Sequence, residues 1–276
     1  MKEKTPTENK NSLHVTETVP SIERAEQKAW QKVLGTRVEV KPLPEIVTPE
    51  VKRNLEIFGF GLRYVPALDL GSKSFLQERG VDEYLTELER KYPKWKTLES
   101  LTLWSDRELA DHTVPRNLEE WYWKLVEKGN VDFPVLPGQW MAVETVKKPS
   151  SGEKYTSTPF AERLGFRDDR GNVSWNDAHN AIEREKTGIL SDIGLSGRST
   201  DLRFLEALEY NLLGNREGWG KTNTQEWTNT ELRKWGASRR FLLGYSDRGG
   251  VGYLLHHKPG DSHSSIGFRA AVVLGS

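Results

Sequence analysis

The closing stretch of the chain limits its fold more than any other. From Ile266 to Leu274 it reads Ile-Gly-Phe-Arg-Ala-Ala-Val-Val-Leu, an apolar run with one charged residue, and such a run reads as a buried strand. Directly before it, from Gly244 through Arg248, Gly249 and Gly250 to the pair His256-His257, the chain is built mostly from Gly, Ser, Asp, His, Tyr and Arg. A buried anchor behind a polar surface of varied side chains is what a binding site asks of its scaffold.

The totals narrow what such a site could be. Lysine plus arginine (40) equals aspartate plus glutamate (40), so the chain carries no overall electrostatic footprint for nucleic acid or an anionic membrane. It has no cysteine, which excludes disulfides, zinc–thiolate sites, iron–sulfur clusters and cysteine nucleophiles together. The first thirty residues are charged, without the apolar core of a signal peptide, and no window is long enough to span a bilayer. The expectation is a soluble, cytoplasmic protein with no membrane insertion. Ten tryptophans and 24 glycines in 276 residues point to irregular, polar-tipped packing and much ordered loop.

Local signals divide the chain into a polar tail (1–20), a mainly helical segment (21–130) and a second domain (131–276). Ser21 to Leu34 reads as a short helix, and Thr48-Pro49 starts another, with a capping hydroxyl before proline at the first helical position. Leu62 to Leu70 reads as extended. Val81, Tyr84, Leu85, Leu88 and Tyr92 share one helical face, and Leu118, Trp121, Tyr122 and Leu125 make another such stripe. Met141 to Val146 reads as a strand. Ser174 caps a helix with Asp177 three residues on and Ala178, Ile182 and Ile189 inward. A second helix is expected from Ser199 or Thr200, with Leu202, Leu205, Leu208 and Leu212 as its stripe and Gly214 closing it.

The order of motifs in the second half resembles a known group. Val173-Ser174-Trp175-Asn176-Asp177-Ala178 resembles the "VSWxDA" helix start of the formylglycine-generating-enzyme (sulfatase-modifying factor) superfamily. Leu202-Arg203 followed by Glu206 to Tyr210 is similar to a worn "RLPTEAEWEYA". Gln225-Glu226-Trp227-Thr228 is similar to its "WEWT" turn, Arg239 to Gly244 stands where "RRVLRGG" would stand, and Gly267-Phe268-Arg269 matches the closing "GFR". The resemblance covers roughly residues 131–276 and implies an α+β, C-type-lectin-like domain: two helices, short twisted antiparallel strands and much loop. Trp175, Glu226, Trp227, Gly267, Phe268 and Arg269 would then be scaffold.

Chemistry does not travel with a fold. Formylglycine generation needs a cysteine pair for copper, and this chain has none. His14, His112 and His179 stand apart, while His256 and His257, adjacent on a strand, would face opposite sides and could not chelate one ion. No Ser–His–Asp order, phosphate loop or catalytic carboxylate pair stands out. The expectation is no catalytic residue, no metal and no cofactor. An oxidoreductase relative with an unrecognised metal site is the alternative from another class.

One branch of this superfamily is the target proteins of diversity-generating retroelements, whose variable region precedes a closing "IGFRAA", as Ile266 to Ala271 stands here. In that family, adenines of a template are randomised, mainly in AAC asparagine codons, and such changes cannot give Lys, Glu, Gln, Trp or Met. Those five types make up 65 of the 276 residues, so a 21-residue window should hold about five of them, yet Tyr245 to Ser265 holds only Lys258. The same window carries three of the six histidines. Tyr, Ser, Gly and Arg with scattered Asp and His resemble paratope chemistry. The resemblance thus implies a non-enzymatic binding protein with a variable site at 245–265: Tyr245, Arg248, Tyr253, His256, His257, Asp261, Ser262, His263, Ser264 and Ser265. Its partner would be a protein, since the Glu-Pro-Asn sugar motif of calcium-dependent lectins is missing. Arg269 is expected to make a buried fork of hydrogen bonds, with Glu226 as a candidate partner. A structural or phage-associated lectin-like protein without diversification is the remaining alternative.

Overall fold

Strands of two sheets run through the molecule with helices on both of their faces. The computed structural model describes residues 21–95, 98, 101–103, 119–146, 156–167, 171–219, 223–234, 237–245, 252–263 and 266–275. In chain order the elements are α1 (Ile22–Leu34), α2 (Pro49–Ile57), β1 (Phe60–Ala67), α3 (Lys73–Lys91), β2 (Leu101–Leu103), α4 (Glu119–Glu127) and β3 (Pro137–Glu144). There follow α5 (Pro159–Arg163), α6 (Trp175–Ile193), β4 (Thr200–Phe204), α7 (Ala207–Glu217), β5 (Asn223–Lys234), β6 (Ala237–Tyr245), β7 (Gly252–His257), β8 (Ile266–Phe268) and β9 (Ala270–Leu274).

The first sheet has the order β1-β3-β9-β4 and is antiparallel throughout. The second has the order β2-β7-β6-β5-β8. Its outer pairings, β2 with β7 and β5 with β8, are parallel, so the second half is not built from antiparallel pairs alone. The closing apolar run supplies both β8 and β9. It therefore serves two sheets, changing from one to the other at Arg269.

Why β9 carries no polar residue follows from its neighbours. It lies between β3 and β4, and both of its faces are covered. Ala271 packs into a core with Trp30, Tyr84 and Trp123, whereas Ala270, Val272 and Leu274 pack into a second core with Trp140, Ile182 and Phe204. The period of two along a strand sends alternate side chains to opposite sides. The second sheet repeats this: Leu232, Phe241 and Leu243 enter the first core, Trp227, Leu242, Ile266 and Phe268 the second. Helices α1, α3, α4 and α7 close the first core; α2, α5 and α6 close the second. Each fully buried Leu, Ile or Phe contributes about 1.5–3 kcal/mol of hydrophobic stabilisation before its entropy cost.

Several sequence expectations fit locally. Thr48 Oγ1 accepts from Val51 N (3.2 Å), as its capping position implies. Ser174 Oγ accepts from Asp177 N (3.1 Å), with Ala178, Ile182 and Ile189 buried. The return bond differs from a full capping box, because the Ser174 hydroxyl itself donates to Asp177 Oδ2 (2.6 Å). The α3 stripe begins at Val81 because Gly80, at φ 77°, breaks the helix there.

One helix expectation is overturned. Thr200 does not cap a helix: Thr200 to Phe204 is β4, and the helix starts at Ala207 and runs past Gly214 to Glu217. Leucines at 202, 205, 208 and 212 suit a helical stripe, but β9 offers an open edge to Leu202 and wins it. Glu206 and Glu209 then set the true start through a reciprocal capping box.

The boundary expected near residue 130 falls inside a continuous structure. β1, from the first half, pairs with β3 along the register Phe60↔Glu144 to Ala67↔Pro137. Both cores draw side chains from either side of that position.

Candidate functional site

The expected scaffold residues come together at the corner between the sheets. Arg269 is fully buried, and its guanidinium donates from Nε to Glu226 Oε2 (3.1 Å) and from Nη2 to Glu226 Oε1 (3.0 Å). It also donates to the carbonyls of Glu144 (2.5 Å) and Val146 (3.0 Å), and its plane lies 4.2 Å from the centre of the Trp219 ring. Burial alone would lower the Arg269 pKa, but the charge and hydrogen bonds of Glu226, with Tyr210 and Glu144, together outweigh it and the net direction is upward. Tyr210 donates its hydroxyl to Glu226 Oε2 (2.7 Å). The expected fork is thus present, and its partner is Glu226. Trp227 is buried, donating Nε1–H to the Val173 carbonyl (2.8 Å), and Trp175 donates to that of Thr228 (3.1 Å).

After β7, residues 258–263 of the 245–265 window form a turn. Asp261 N donates to Lys258 O (2.9 Å), and Lys258 N donates to Asp261 Oδ2 (3.1 Å). The start of α6 grips the turn through main-chain atoms. Asn172 N donates to the carbonyls of His263 (3.1 Å) and Ile266 (3.0 Å), and Asn176 N to that of Pro259 (3.0 Å). Asn172 takes a left-handed φ of 60° to do so, a conformation asparagine tolerates better than most residues. The side chains of Asp261, Ser262 and His263 are all exposed. His257 sits at the turn's entrance, edge-on to Trp227 and 3.5 Å from Asp261.

The other expected site residues are placed in part. Tyr245 closes β6, and Tyr253 and His256 lie within β7, but their side chains lie outside the described residues. Arg248, Ser264 and Ser265 lie outside them altogether. His256 and His257 are consecutive in β7, opposite Phe241 and Arg240 of β6. Among the described residues, no three of His, Asp and Glu converge as a metal centre requires, and no helix is long and apolar enough to cross a membrane.

Beside the turn stands a feature that the sequence reading missed. Between Trp227↔Leu242 and Glu231↔Arg240, β5 carries two more residues than β6, so Thr228 to Thr230 leave the ladder. The bulge docks on the start of α7. Asn229 N donates to Leu205 O (2.9 Å), and Asn229 Nδ2 and Thr230 Oγ1 donate to the two oxygens of Glu206 (2.7 and 2.6 Å). Arg240 donates to Asn229 O (2.5 Å) and lies over Trp175 at 4.2 Å, with His179 stacked on the same ring at 4.3 Å. Burial lowers the pKa of both Arg240 and His179. No sequence signal marks this bulge, because two extra residues preserve the alternation of faces.

Comparison with protein-family models, with curated proteins and with solved structures gives no match to this chain.

Proposed function

We propose that this chain is a non-enzymatic ligand-binding protein that displays a diversified surface on a C-type-lectin-like scaffold, as target proteins of diversity-generating retroelements do. The observation that carries this reading is the separation of main chain from side chain in the 258–263 turn. The turn is gripped from α6 through Asn172 and Asn176 by backbone hydrogen bonds, while Asp261, Ser262 and His263 point outward. At Ser262 and His263 side-chain identity can change without altering those main-chain bonds, whereas Asp261 also ties the turn internally, its Oδ2 accepting from Lys258 N (3.1 Å). The near absence of Lys, Glu, Gln, Trp and Met between Tyr245 and Ser265 supports the same reading.

The partner in this reading is a protein surface. An exposed, polar, side-chain-diverse turn on a rigid support suits adaptable hydrogen bonding. Deep sequencing of the gene across a population of source cells tests it. Substitutions concentrated in codons 245–265, with a near-copy of that region differing at adenines beside a reverse transcriptase gene, are the expected result. Substitutions spread evenly along the chain, with no such copy, would overturn it.

A further inference from the structure

A cavity of about 310 Å³ opens on the first-core side of the β5 bulge, between the start of α7 and the loop joining α4 to β3. Its polar lining includes Tyr122, Glu206 and Arg240, and one wall is the apolar run Phe133 to Leu136. Three observations set it apart from a packing gap. First, Tyr122 is 1% exposed, and its hydroxyl makes no side-chain hydrogen bond among the described residues. Tyr122 lines the cavity, which leaves that hydroxyl open to a partner from solution. The ring is flanked by Trp123 and Phe241, and burial, with a smaller contribution from the Glu206 charge, raises the phenol pKa.

Second, the cavity holds one charge of each sign that forms no salt bridge among the described residues. Glu206 receives hydrogen bonds from Asn229, Thr230 and the α7 backbone, all neutral donors. Arg240 is held by a carbonyl and the Trp175 face, forms no ion pair among the described residues, and keeps Nε buried without a partner. The other lining charges are compensated: Glu209 by Arg203, and Asp132 and Glu231 by Arg233. Third, Val135 at the wall is 77% exposed, one of two large apolar side chains so exposed among the described residues. Apolar surface beside convergent polar groups is the usual make-up of a small-molecule site.

We infer that this cavity binds a small zwitterion of the amino-acid type with an apolar side chain. Glu206 takes its ammonium group, Arg240 its carboxylate, and Phe133 to Leu136 its apolar part. A carboxylate has room for acceptor contacts beyond the bonds Glu206 already receives. The Tyr122 hydroxyl, able to donate and to accept, gains from such a ligand the partner the protein does not give it. The site is separate from the 258–263 turn and does not depend on diversification there.

The test uses the full chain. The common amino acids are screened by thermal shift, and binding of L-leucine and L-phenylalanine is measured by calorimetry against 3-phenylpropionate and phenethylamine, which carry one charge each. Saturable binding of an apolar amino acid is expected, weaker by about tenfold or more for either single-charge analogue and for Glu206→Gln or Arg240→Gln. Tyr122→Phe removes only the unpaired hydroxyl, so it should fold as the parent does and still bind more weakly. No shift with any amino acid, equal affinity for a single-charge analogue, or unchanged affinity in Tyr122→Phe would each overturn the inference.

Discussion

Arg269 and Glu226 join two sheets at the one residue where the closing strand passes between them. Arg269 separates β8 from β9, and its bidentate bonds to Glu226 (3.1 and 3.0 Å) tie the second sheet to a guanidinium that also holds the carbonyls of Glu144, the last residue of β3, and of Val146 just beyond it. Removing one partner strands the other charge in the interior. Arg269→Met should cost about 3–5 kcal/mol in urea unfolding, and Glu226→Leu a similar amount. The double variant should lose less than the sum of the two, because neither charge is then left alone. Strict additivity would show the pair to be uncoupled.

The 258–263 turn should tolerate new side chains at Ser262 and His263, though not at Asp261, whose carboxylate accepts from Lys258 N. Ser262→Ala with His263→Ala should shift stability by no more than about 0.5 kcal/mol, as both are exposed. Asn172→Ala keeps the backbone N–H but places alanine at φ 60°, and should cost about 1–2 kcal/mol. Thermal melts of the two variants side by side check the contrast.

Thr230→Val tests the bulge. The swap is close in shape, but it removes the donor to Glu206 Oε2 (2.6 Å) and the acceptor for Ala207 N (2.8 Å) together. A loss of about 1–3 kcal/mol is expected from urea titration.

His179 should make the fold acid-sensitive. Burial against Trp175 lowers its folded pKa below the ordinary value of 6.5. Below 6.5 the unfolded chain then takes up the proton more readily than the folded one, so stability is full above that pH and falls as the pH drops through the folded pKa. His179→Gln should flatten the decline in melting temperature between about pH 7.5 and pH 5. An unchanged decline would assign the effect to other groups.

The second half should not fold alone. β1 covers the β3 edge, and Trp30, donating Nε1–H to Tyr64 O (2.6 Å), belongs to the same core as Ala271. A fragment of residues 131–276 would expose that strand edge, lose more than half of the first core's buried side chains and lose a smaller share of the second's. Circular dichroism and urea titration of the fragment should show no cooperative transition.

How much of this was legible depends on the range of the interaction that decides it. Thr48-Pro49 and Ser174 announce their helices because a cap is satisfied within three residues. Ile266 to Leu274 announces burial because nothing in it but Arg269 seeks water. Arg269, the one charge in that run, had to be paired, and Glu226 was a nameable partner. Thr200 to Phe204 was misread as helix because leucines at helical spacing also suit a strand followed by a helix, and only the open edge of β9 distinguishes the two.

The sequence by itself determined the strands and helices whose signals are local, the exclusion of cysteine chemistry, and a polar stretch whose composition sets it apart. Tertiary structure alone decided that both faces of the sheets are covered, that β1 belongs with β3, and that a two-residue bulge brings Glu206, Tyr122 and Arg240 around one cavity. These outcomes depend on contacts between residues far apart in the chain. Such contacts leave no period in a sequence, because the entropy of closing the loops is offset only once the distant partners have met.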